Sequence, residues 1–171
     1  ILRDQSYYRV YDIQGSMSDA TASYYHNSIG GYHGAKLRRY KELGDSCITK
    51  ETEEMINGLR QGTANFADYG VLNMLNVKYI TYGGEEGNII PNPEANGPAW
   101  FVKEVRAVND PTEELKVVEE IDTKVTAVID QSKFAVKTPV AYDSSATVKL
   151  VDHKPNVMKY EVNSSTGGLI V

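Results

Sequence analysis

The spacing of apolar residues changes character partway along the chain. As far as residue 136, runs rich in aromatic and β-branched residues alternate with segments of helical period; beyond Lys137–Pro139 only two-residue alternation remains. The shift predicts an α+β fold: a mixed sheet with about four helices over 1–136, then the opening strands of a truncated antiparallel β-sandwich over 137–171.

In the first part, "SYYRVYDI" (6–13), "VKYITY" (77–82), "AWFVKEVRAV" (99–108) and "KVTAVI" (124–129) read as strands. The "AKLRRYKEL" segment (35–43) sets Leu37, Tyr40 and Leu43 on one helical face, with Gly44 as its stop. Thr49 is placed to cap a second helix with Met55, Ile56 and Leu59 buried and Glu51, Glu53 and Glu54 near its N-terminus. Asp68 is placed to cap a third, burying Val71, Leu72 and Leu75. The best helix start is at Asp110: N-cap Asp, Pro111 at N1, and Glu113 at N3 as in a capping box. Residues 14–34 and 83–98, dense in Gly, Asn, Ser, Asp and Pro, read as long loops. In the second part, 146–151 and 157–162 alternate, and Leu169–Val171 reads as a further strand start. Val148, Leu150, Met158, Tyr160 and Val162 need cover, so these strands are expected to lie on the α+β part or to pair non-natively with another copy.

The 171 residues carry a net charge of −5, which argues against nucleic acid and anionic membrane as main partners. A single cysteine, Cys47, allows no intrachain disulfide and reads as structural. No apolar run is long enough to span a bilayer and no signal peptide is visible. The chain starts "ILRDQ", without Met, and stops at "GGLIV", inside an apolar run; the expectation is a piece of a longer protein.

The chemistry concentrates in "YYHNSIGGYHGAKLRRY" (24–40). Tyr25 and Tyr32 offer ring faces for sugars, and His26, Asn27, His33, Arg38 and Arg39 offer directional hydrogen bonds. Gly30, Gly31 and Gly34 allow close backbone approach. Lys36, Arg38 and Arg39 at a helix start suit a lipid phosphate or an anionic sugar. Residues 26–39 are therefore expected to line the main concave surface of the first domain. The same residues also fit a structural role, with tyrosines packed over the sheet and cations on a solvated face. His26 and His33 match no common zinc spacing, and Glu85–Glu86 and Glu119–Glu120 are adjacent in sequence, not a pair flanking a substrate. No metal ligand, cofactor or catalytic residue is assigned. Trp100 and Phe101 read as core residues, and "NSS" (163–165) matches a glycosylation sequon.

Four segments together carry a resemblance: "YYHNSIGGYHGAKLRRY", "VLNMLNVKYI", "NPEANGPAWFVKEV" and "PNVMKYEVNSSTGGLIV". In order and over nearly the whole chain, they resemble the C-terminal extracytoplasmic region of the YfhO-like bacterial membrane proteins. These are multi-pass proteins similar to glycosyltransferases that use lipid-linked sugar donors. The resemblance implies an extracytoplasmic location within a multi-pass membrane protein. Its partners would be the membrane-embedded part of the parent chain and a glycan or polyprenyl-phosphate sugar. The family's catalytic carboxylate sits on a loop near the first membrane helices, and its β domain continues with a Tyr-Pro-Gly-Trp-like motif. Neither is in this sequence, so the resemblance implies a non-catalytic accessory domain. A structural or protein-interaction domain without a ligand is the alternative.

Overall fold

Strand β1, Arg9–Asp12, forms from the centre of the 6–13 stretch and buries Val10 and Tyr11. The computed structural model describes residues 1, 3–15, 17–32, 34–83, 88–136 and 139–171. β1 runs parallel to β2, Val77–Thr81, with Tyr11 opposite Ile80. β2 in turn pairs antiparallel with β3, Ile89–Pro91. β3 lies within the stretch expected to be only loop, and Pro91 is tolerated because β3 is an edge strand. Residues 27–29 extend the other edge. The Val10 amide donates to the Asn27 carbonyl at 2.8 Å, and the Ile29 amide donates to the Val10 carbonyl at 3.1 Å.

Between β1 and β2 lie the helices. α1, Arg38–Leu43, does not stop at Gly44, whose φ of −65° and ψ of −48° are helical. It passes through a π-helical turn, Gly44–Ile48, directly into α2, Thr49–Gln61. The expected Gly44 stop and Thr49 cap are thus both interior positions. Burial of Cys47 and Ile48 outweighs the local stop signal. Side-chain hydroxyls bond to carbonyls along the widened run: Ser46 to Glu42 O at 2.7 Å, Thr49 to Gly44 O at 2.9 Å and Thr52 to Ile48 O at 2.6 Å. The true stop is Gly62, at φ +70°. Met55 is buried as expected, whereas Ile56 and Leu59 are half-buried. After a 3-10 turn capped by Asn65, α3 spans Gly70–Met74, so Asp68 does not cap it. Asn76, at φ +56°, turns the chain into β2 and donates through Nδ2 to the Tyr7 carbonyl at 2.8 Å.

In the second unit, 99–108 is not one strand. It divides at Lys103 into β4, Phe101–Val102, and β5, Glu104–Val108, which take different partners. β5 pairs in parallel with β6, Thr126–Asp130, across α4, Pro111–Val118. The α4 start is as expected: Asp110 Oδ1 accepts from Thr112 N at 2.8 Å and Glu113 N at 2.9 Å. Glu113 reaches back to Asn109 N at 3.0 Å, one residue beyond the N-cap. β7, Thr147–Lys154, and β8, Val157–Asn163, form an antiparallel hairpin, and β9, Leu169–Ile170, pairs with β4.

The fold is α+β, with two corrections. The run 38–61 is one helical body, so among the described residues three such bodies stand where about four were expected. The strands form separate small sheets and not a sandwich, because β9 joins β4 instead of continuing the hairpin. The chain divides into two compact units, Ile1–Ala95 and Asn96–Val171, and the β4–β9 pairing joins residues on both sides of 136/137. Residues 137 and 138 themselves lie outside the described residues. Trp100 and Phe101 are half-buried and not full core; the Trp100 indole N–H donates to the Thr123 carbonyl at 2.9 Å.

Gly58 tests the chain reversal after α2. A Cβ there would sit 2.9 Å from the Ala64 Cα. Gly58→Ala gains about 1 kcal/mol of helix propensity, yet crowding of that backbone should leave it about 1 kcal/mol less stable overall. The reading is a lower urea midpoint at unchanged slope; an equal or higher midpoint shows that the reversal has room.

Candidate functional site

The 24–40 stretch is held by its backbone and by two long side chains. Asp19 Oδ1 accepts from both the amide and the hydroxyl of Thr21 at 2.6 Å, starting a 3-10 turn at Ala22–Tyr24. The His26 amide closes that turn on the Ala22 carbonyl at 3.0 Å, and 27–29 then run along β1. Two donors meet at the Met17 carbonyl: the Gly31 amide at 3.3 Å and the Lys36 ammonium at 2.7 Å. The Tyr40 hydroxyl, from α1, donates to the Ile29 carbonyl at 2.6 Å.

Between these fixed points the rings point outward. Tyr24, Tyr25 and Tyr32 are 81%, 80% and 86% exposed. Asn27 is exposed with its carbonyl in the sheet, and His26 is half-buried. The cations are arranged differently from the expected anion cradle. Lys36 is directed to the Met17 carbonyl, and Arg38 Nε pairs with Glu42 Oε1 at 2.8 Å one helical turn on. Arg39 is exposed. The helical run begins at Arg38, with Leu37 as its N-cap and no side-chain hydrogen bond at the cap, so Lys36 precedes the helix start and Arg38 and Arg39 lie in its first turn. His33 lies outside the described residues, as do Glu85 and Glu86. The arrangement therefore offers aromatic faces and amide groups on a pinned backbone, and not a cluster of uncommitted charge. Among the described residues no group of three metal-ligating side chains comes together.

Two contributors were not visible in sequence. Tyr24 extends the exposed rings, and only its position beside Tyr25 hinted at this. Glu51, read as an acid near its own helix start, is buried and caps a different helix: Oε1 accepts from Val71 N at 2.7 Å and Oε2 from Leu72 N at 2.9 Å. A separate cluster joins Asp4 to Lys78 Nζ at 2.6 Å and to the Tyr79 hydroxyl at 2.7 Å, which holds the Asp4 carboxyl well below its usual range. Tyr8 stacks edge-on against Tyr79 beside it.

Comparison of the chain with protein-family models, with curated proteins and with solved structures found no match.

Glu51 makes the frame of this unit pH-dependent. Burial pushes its carboxyl from 4.5 up to about 7, against the pull of the Val71 and Leu72 amides. The folded state holds the proton more tightly than the unfolded one. Stability is therefore fully present below about pH 4.5 and falls as pH rises to about 7. The loss is on the order of 3 kcal/mol. In Glu51→Gln that dependence should vanish, so the stability difference between the two chains should change across this window in denaturant titrations. A difference constant from pH 4.5 to 7.5 rules it out.

Proposed function

We propose that this chain is a non-catalytic extracytoplasmic accessory region of a membrane-embedded, glycosyltransferase-like protein. Its loop 24–39 helps to bind or orient a glycan or polyprenyl-phosphate sugar for the membrane part of the parent chain. The observation that carries the reading is the outward display of Tyr24, Tyr25 and Tyr32 on a backbone fixed at the β1 edge and at the Met17 and Ile29 carbonyls. Rings on a rigid backbone lose little entropy on stacking against a sugar face. The neighbouring Asn27 side chain supplies both a donor and an acceptor for sugar hydroxyls. Glu42 partly offsets the charge of Arg38, so the rings and not the cations lead recognition in this reading. The location rests on the sequence resemblance alone.

A second reading, a protein-interaction domain with no small ligand, is favoured by the exposed apolar side chains of β8, among them Val157, Met158 and Val162.

Titration with neutral and phosphorylated oligosaccharides, followed by backbone amide shifts, separates the two. Glycan binding should move resonances of 24–32. Tyr25→Ala and Tyr32→Ala should each weaken it about tenfold or more while changing stability by under about 0.5 kcal/mol, as expected for exposed side chains. Absence of any shift with all sugars leaves the interaction reading in place.

A further inference from the structure

Strand β8 is close to being its own complement. Its sequence, Val157-Met-Lys-Tyr-Glu-Val-Asn163, pairs with β7 along one edge. The sheet it belongs to has two strands, so the other edge of β8 has no strand beside it among the described residues, and all seven of its residues are exposed. An open edge of this kind usually carries a lysine that blocks pairing. Here Lys159 is two residues from Glu161, with Tyr160 between them.

We propose that β8 is the pairing edge of a dimer of this chain, in which β8 of one copy lies antiparallel to β8 of the other about Tyr160. That register sets Lys159 opposite the partner's Glu161, and Glu161 opposite the partner's Lys159. Within the hairpin, Lys149 already faces Glu161 and Asp152 faces Lys159. Each polar row across the four strands would then alternate in sign: Lys149, Glu161, the partner's Lys159, the partner's Asp152. On the other face, Met158 comes opposite the partner's Val162 and the two Tyr160 rings become neighbours, continuing the Leu150–Tyr160 pair.

The neighbouring registers are disfavoured by the same residues. A two-residue slip centres the pair on Lys159 or on Glu161 and brings identical charges face to face. A one-residue slip sets the apolar face of one strand against the charged face of the other. The bulge between Leu150 and Asp152 is in β7, away from the pairing edge, so β8 stays regular. Lys159 is only loosely held by Asp152, at 3.9 Å and largely exposed, and can span both carboxylates. Tyr160 is steadied by its hydroxyl on the Pro98 carbonyl at 3.2 Å.

The test is sedimentation of the 171-residue chain over a range of concentrations, with two charge-reversed variants. Lys159→Glu and Glu161→Lys should each stay folded by circular dichroism and each raise the dimer dissociation constant about tenfold or more, since two opposed charge pairs become like pairs. Mixed in equal amounts, the two variants should associate with each other nearly as well as the original chain does with itself. In the mixed dimer one strand carries only negative charge at these two positions and the other only positive, so both opposed pairs are again attractive. A monomer at every concentration overturns the proposal; that is the result expected if the edge takes a strand of another protein or of its own chain. A dimer indifferent to both reversals, or one not restored by mixing, overturns it equally.

Discussion

The first unit depends on a carboxylate that leaves its own helix to serve another. Glu51 projects from the first turn of α2 and takes the amides of Val71 and Leu72, the donors that a helix as short as α3 cannot satisfy internally. This bond fixes where α3 starts, and with it the buried Val71 and Leu72 and the left-handed Asn76 that launches β2. β2 is the central strand, with β1 on one side and β3 on the other. A cap supplied from twenty residues away thus sets the position of the sheet as well as of the helix.

Signals that act within one turn of chain were legible in sequence. The Asp110–Pro111–Glu113 start of α4 is an example, since cap and donors are at most four residues apart. Gly44 and Thr49 misled because their local preferences compete with burial of Cys47 and Ile48, which no short window contains. The break of 99–108 at Lys103 was invisible for a similar reason. Strand limits there are set by partners, β9 for one half and β6 for the other, and both lie later in the chain. The sandwich expectation failed on partner choice too: the alternation in 146–162 is real, but it produces a hairpin.

The candidate site shows the same division. A loop dense in Tyr, Gly and Asn announces exposed aromatic rings, and these are found. The direction of a long side chain is not written in its neighbours. Lys36 turns back to Met17 and Tyr40 to Ile29, and these two bonds convert an expected cation cluster into part of the support beneath the rings.

The two parallel strand pairs differ in how far apart their members lie. β1 and β2 join residues 68 positions apart, Arg9 and Val77, whereas β5 and β6 join Glu104 and Thr126, only 22 apart. Closing the longer loop costs about 1 kcal/mol more in chain entropy, and non-local parallel pairings of this kind are intrinsically slow to form. Among the described residues, 27–29 lie on β1 and on no other strand. The tyrosine loop is therefore anchored to a strand whose own place depends on a long-range pairing. Opening of β1 from β2 would release the edge of the loop with it, so the amides of 27–29 should exchange together with those of β1 and not independently of them.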